Sequence, residues 1–253
     1  MKQYLLVVFS LILIGCNSAK HTLASKGIPY SPDRFITAAR HGDTETVRQF
    51  LQADICQTQG VCGQALGQAA YTGHADTVAA ILDTDTFDPS QSDLSAALIE
   101  AANGDHAVIA KVLIDAGATA ESRDAQRALI NAISLNHTDT VRELLDAGAN
   151  PDARLPNLQF TPLTLAAVHG HTDIAKALID DGADVDAQSQ TGNTALELAA
   201  CAGNSALVDY LITNDANINV IDSQGKTALA LCKSNTCHCN EQIVASLTKG
   251  PRP

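Results

Sequence analysis

The stretch Thr161-Pro162-Leu163-Thr164-Leu165-Ala166-Ala167-Val168-His169-Gly170-His171 decides how this chain is read. Leu163 and Ala166, with Leu178 fifteen residues after the leucine, each belong to a column that recurs along the sequence. The large apolar column is Phe35, Leu66, Leu98, Leu129, Leu163, Leu196 and Leu229. Three residues further on stand Ala38, Ala69, Ala101, Ala132, Ala166, Ala199 and Cys232. The third column is Phe50, Ile81, Leu113, Leu144, Leu178, Leu211 and, after a three-residue insertion, Leu247. Successive units are 31, 32, 31, 34, 33 and 33 residues apart. A period of this length signals stacked repeats, in which each unit buries its apolar face only against its neighbours. Two helices of about eight residues per unit would be too short to persist alone. Alanine in the small column lets successive first helices approach closely. Gly117, Gly148 and Gly182 fall where the second helices end, a position that favours glycine. Ser189-Gln190-Thr191-Gly192 and Asp222-Ser223-Gln224-Gly225 read as hairpin tips between units.

The same stretch closely resembles T-P-L-H-x-A-A-x-x-G-H, the signature of the ankyrin-repeat family. It continues through Ile174 and Leu178-Ile179 to Gly182-Ala183-Asp184-Val185-Asp186-Ala187, as that family does. The unit running from Thr194-Ala195-Leu196 to Asn219 is nearly as close. Units one to four keep their small residues but lack Thr-Pro. Asp105 and Asn136 replace the turn glycine, and both residue types tolerate left-handed backbone. The resemblance covers Asp33 to Lys249 and implies an all-α solenoid of about seven helix-turn-helix units with short β-hairpin tips. The units fall at about 34–63, 64–95, 96–126, 127–160, 161–193, 194–226 and 227–249.

Composition agrees with helices: aromatics are 4% of the chain and there is no Trp, where a sandwich or barrel would carry more aromatic and Thr-rich strands. Sixteen Lys and Arg against 28 Asp and Glu give a net charge of −12. That sign disfavours nucleic acid and anionic lipid and favours a protein partner with a basic face.

The start of the chain reads as an address. Met1-Lys2-Gln3 supplies one positive charge, and Tyr4 to Ile14 is an apolar run broken only by Ser10, too short to span a bilayer. A basic start, short apolar centre and small residues describe a secretory signal peptide, here residues 1–15. Leu13-Ile14-Gly15-Cys16 resembles the lipobox of bacterial lipoproteins. The resemblance implies cleavage before Cys16, which becomes the acylated amino terminus and the sole membrane attachment. Several acyl chains hold durably where one would be marginal. Asn17 in place of the usual inner-membrane retention Asp implies the outer membrane, facing the periplasm. Residues 16–33 read as a flexible tether.

Six cysteines remain, in a compartment that permits disulfides. Cys56 and Cys62 flank the junction between units one and two, and a bridge there is favoured. Cys201, Cys232, Cys237 and Cys239 cluster in the last two units with three possible pairings. A zinc site from Cys232, Cys237, His238 and Cys239 departs from the paired spacing of structural zinc ligands, so no metal is expected. His41, His74, His106, His137 and His171 stand at or beside the turn between the two helices of units one to five, where the family resemblance implies local hydrogen bonding. No phosphate loop, nucleophile motif or H-E-x-x-H helix occurs, so neither catalysis, a cofactor nor a small-molecule substrate is expected.

In ankyrin proteins the tips and the first-helix face bind protein partners. The fifth tip, Arg154-Leu155-Pro156-Asn157-Leu158-Gln159-Phe160, is one residue longer than the two after it. It places Leu155, Leu158 and Phe160 beside Arg154, residue types enriched among binding hot spots. These side chains either anchor a partner or fold back on the stack. Anchor, acidic surface and absent chemistry suit an immunity protein that neutralises a secreted antibacterial effector, a lipase among the candidates. The alternative is a periplasmic scaffold or assembly factor for an envelope or oxidative-stress enzyme.

Overall fold

In the computed structural model, residues 18–119, 122–154, 160–234 and 237–249 are described. Seven successive helix pairs occur among them. They are α1 (Pro32–Arg40) with α2 (Thr44–Gln52), α3 (Val61–Tyr71) with α4 (Ala75–Leu82), and α5 (Gln91–Asn103) with α6 (Ala107–Asp115). Then follow α7 (Arg123–Ser134) with α8 (Thr138–Asp146), α9 (Pro162–His169) with α10 (Thr172–Asp180), α11 (Ala195–Cys201) with α12 (Ser205–Thr213), and α13 (Ala228–Lys233) with α14 (Glu241–Lys249). The chain divides into two compact units: the first ends at Thr119 and contains α1–α6, and the second contains α7–α14.

The three recurrent columns are the core of both units. Phe35, Leu66, Leu98 and Leu129 are fully buried, as are Ala69, Ala101, Ala132, Ala166 and Ala199. The second-helix column from Phe50 through Leu211 is fully buried too. The departure is Leu229, half-buried in the six-residue helix α13.

Helix starts differ along the chain for a reason visible in the sequence. Where Thr stands two residues before the column leucine, it caps a short helix: Thr161, Thr194 and Thr227 accept the backbone N–H of Thr164, Glu197 and Ala230. Where that Thr is missing, the helix continues outward to an earlier cap. Ser90 and Ser122 then cap helices of 13 and 12 residues, and α3 starts after Gly60 with 11. The expectation of about eight residues therefore holds for α9 but not for α3, α5 or α7. Each extra turn takes up chain that would otherwise form a tip.

No strand occurs among the described residues, so the expected β-hairpin tips are corrected to tight turns. In the second unit the Ser189 N–H donates to the Asn193 carbonyl and the Asp222 N–H to the Lys226 carbonyl, both at 2.9 Å.

The described part of the expected tether is ordered against the first unit. Residues 18–25 are helical, and Leu23 is fully buried. The Tyr30 ring lies against Phe50 with 5.7 Å between centroids, and its hydroxyl donates to the Ala53 carbonyl at 2.7 Å. Leu23, fully buried, and Tyr30, exposed on one side but set against Phe50 and Ala53, hold this segment in place. No helix of the described residues is long and apolar enough to cross a membrane.

Candidate partner-binding surface

The long tips belong to the second unit, between α8 and α9, α10 and α11, and α12 and α13. Their backbones are tied to one another. The Arg154 guanidinium donates to the Gln188 carbonyl at 2.6 Å, and the Gln188 amide donates to the carbonyls of Gly192 and Ile221 at 2.7 and 3.0 Å. The Ser223 N–H reaches the Thr191 carbonyl at 3.3 Å. Gly192 sits at φ +80°, and a Cβ there would lie 2.7 Å from the Ser223 nitrogen, so this approach needs glycine.

Acidic residues serve the same framework. Both Asp152 oxygens accept the Asp184 N–H, at 3.1 and 3.2 Å, and Asp186 accepts the Asn217 N–H at 2.9 Å. Each carboxylate thus receives a backbone N–H of the following unit. Glu197 is almost wholly buried; one oxygen accepts the Thr194 N–H at 3.0 Å and the other has no partner. Burial pushes its carboxyl above the ordinary range, the bond from Thr194 opposes this, and nearby Asp222 adds to it.

His41 makes a local bond of the kind expected, its ring donating to the Thr37 carbonyl at 2.8 Å, whereas His74 and His106 reach further. His74, His106, His137 and His171 stand at the starts of α4, α6, α8 and α10 without capping them through the ring. In the first unit the His74 ring donates to the Arg40 carbonyl and the His106 ring to the Tyr71 carbonyl, both at 3.1 Å. Each ring thus ties its own pair to the end of the preceding first helix. A Cβ on Gly42 would stand 2.5 Å from the His74 ring, which explains the bare glycine beneath it. In the second unit the His171 ring faces the Ser134 carbonyl, with Nε2 buried and outside hydrogen-bond geometry. Burial lowers the pKa of His171, and His169, stacked on it at 5.4 Å, lowers it further.

Beside the turns of the second unit Leu135 is 52% exposed at the end of α7 and Val168 is 40% exposed near the end of α9; Tyr71 and Val108 are exposed beside turns of the first unit. Sequence reading passed over Leu135 and Val168, because a lone Leu or Val in a helical pattern is ordinarily core. Their offset from the buried columns, six residues after Leu129 and five after Leu163, was the available signal.

A family model described as ankyrin repeats (3 copies) matches residues 35–124 and 98–189, and one described as ankyrin repeats (many copies) matches 178–232. The chain belongs to the ankyrin-repeat family. No curated protein matches it. Both matching families are defined by repeats and not by a catalytic fold, and ankyrin repeats are protein-interaction modules.

On this ankyrin scaffold, Arg154 is exposed and Phe160 half-buried, while Leu155 and Leu158 lie outside the described residues, as does Cys16. Arg154 also holds the next tip, a role the sequence did not signal. The cysteine sulfurs meet in three pairs: Cys56 with Cys62, Cys201 with Cys237, and Cys232 with Cys239, with Cα–Cα distances of 5.4, 4.3 and 5.3 Å. Among the described residues no group of three or more His, Cys, Asp or Glu is placed to hold a metal ion.

Proposed function

We propose that this ankyrin protein is lipid-anchored through Cys16 at the periplasmic side of the outer membrane, where it binds one basic-faced protein and carries out no catalysis. In its most specific form it is an immunity protein that blocks a secreted antibacterial effector, with a membrane-attacking lipase as the class to try first. The observation that carries the binding role is the solvent-facing apolar set of the second unit, Leu135 and Val168, together with the half-buried Phe160 of the fifth tip. Phe160 and Arg154 of the same tip are residue types enriched at interface cores, and the exposed Leu135 and Val168 add apolar surface at the turns. A net charge of −12 steers a basic partner toward this surface and weakens in effect as salt rises.

The test is a survival assay. Cells lacking the protein are expected to be killed by the cognate effector and rescued by the wild type. Leu158→Ala with Phe160→Ala should rescue poorly and cost roughly 2–4 kcal/mol in binding, with helical content unchanged. Full rescue by the double variant would remove the fifth tip from the interface. No toxic neighbour and no survival difference would leave the scaffold role for an envelope or oxidative-stress enzyme.

A further inference from the structure

Charge is distributed unevenly along the first unit. Residues 18–40 carry Lys20, Lys26, Arg34 and Arg40 against one carboxylate, Asp33, a local charge of +3. Residues 41–119 carry eleven Asp and Glu against Arg48 and Lys111, a charge of −9. All four cations of the first stretch are exposed, as are His21 and His41. None of the four is ion-paired among the described residues; Lys20 lies 4.7 Å over the Tyr30 ring. Asp43 and Glu45, the nearest acids beyond this stretch, accept the Thr46 N–H and the Gln49 amide within α2.

The basic residues are held in place. Leu23 is buried, the Ile28 N–H donates to the Leu23 carbonyl at 2.9 Å, and Tyr30 is fixed by Phe50 and Ala53. The segment is therefore part of the end of the first unit. Only Asn17 separates Cys16 from Ser18, where the described helix begins. The two chain steps span at most about 7 Å, inside the Debye length of about 8 Å at physiological ionic strength.

We infer that this end of the first unit, presented by Lys20, Lys26, Arg34 and Arg40, is a docking surface for the anionic phospholipid headgroups of the membrane that carries acylated Cys16. The inference rests on the lipid-anchor reading for its location. It adds a second contact to a chain whose overall charge would be repelled by such lipid. Acyl chains hold the protein near the bilayer, and the basic end decides which surface lies on it. The acidic residues 41–119 of the same unit are repelled, so the membrane-facing surface is confined to this basic end.

The probe is vesicles of phosphatidylcholine alone or with roughly 30% phosphatidylglycerol. The protein is the full mature chain with Cys16→Ser, so that acylation plays no part. The parent should bind anionic vesicles and not neutral ones, with binding falling steeply as salt rises. Near an anionic surface each Lys or Arg contributes about a factor of five. The variant Lys20→Gln, Lys26→Gln, Arg34→Gln and Arg40→Gln should therefore bind roughly several hundredfold more weakly, with unchanged melting temperature. Asp83→Asn with Asp85→Asn, which removes acids elsewhere in the unit, should not mimic that loss. Absence of binding to anionic vesicles, or equal binding by parent and neutralised chain, overturns the inference. So does capture of an acidic protein with no vesicle binding. Acyl labelling of the wild type is read separately: an unlabelled chain that still binds anionic vesicles sinks the anchor alone. A labelled chain whose neutralised variant binds like the parent sinks the docking surface alone.

Discussion

Gly192 and His171 show how single positions set the close fit between neighbouring pairs. Gly192→Ala adds a carbon 2.7 Å from the Ser223 nitrogen on a left-handed backbone. The expected cost is about 1–3 kcal/mol, read as a lower denaturation midpoint with helical content retained. His171 gives a pH dependence whose sign follows from burial. Its folded pKa lies below the ordinary value near 6.5, so the unfolded chain takes up a proton first on acidification. The stability it contributes is complete above the unfolded value and is lost as pH falls through that value toward the folded one. Melting curves between pH 7.5 and 5.5 should fall with acidification, and His171→Asn should flatten the slope over that window. An unchanged slope would mean that His171 titrates alike in both states. Glu197 acts with the opposite sign: its raised pKa means that folding is less favoured once pH exceeds the ordinary carboxylate value.

At the scale of elements, the last pair combines a short first helix with a cluster of paired cysteines. Helix α13 has six residues and leaves Leu229 half-buried, and Cys201, Cys232, Cys237 and Cys239 knit it to the end of α11. Mass mapping of unreduced protein should give three linked pairs: Cys56–Cys62, Cys201–Cys237 and Cys232–Cys239. In the loop-entropy account, the 36-residue separation of Cys201 and Cys237 corresponds to roughly 3.5–4 kcal/mol. Reduction should therefore expose α13 and α14 to hydrogen exchange before the remaining pairs. A different pairing, or even loss of protection along the chain, would refute that order. Periodicity located all seven pairs because burial repeats with the stack, and any residue in a column must face its neighbour. It could not supply helix length, since Ser90 and Ser122 lie far ahead of their columns and only the fold shows which hydroxyl caps. Pairing within the cysteine cluster was equally closed to sequence, because several sulfurs fall within a few residues of one another. At the candidate site the fifth tip was legible from its odd composition. The tie from Arg154 to Gln188 was not, since it joins residues 34 apart through a backbone carbonyl.

At the scale of the whole chain, stability is shared between adjacent pairs, so damage to a central contact should spread. Ala166 is fully buried between first helices, and Ala166→Asp places an unpaired charge there at a cost of several kcal/mol. That predicts a fall of roughly 10 °C in melting temperature for a chain of this size, with Phe160→Ala as a control that shifts it little. A change of a degree or two for Ala166→Asp would show that the site relaxes to admit water. The charge map, basic over residues 18–40 and acidic afterwards, was readable in the sequence. It gains meaning only once Leu23 and Tyr30 are seen to fix that stretch onto α1 and α2.

The pairing of Cys201 with Cys237 also has a mechanical consequence. A chain held at one end and drawn from the other lengthens by about 3.3–3.6 Å per released residue. The closed bridge removes the 36 steps between these cysteines from the load path. Oxidised protein stretched between its termini should therefore reach a contour length about 140 Å shorter than reduced protein, about 120 Å of it from this bridge and the rest from the bridge between Cys56 and Cys62. That difference is large enough to read in a single-molecule extension trace.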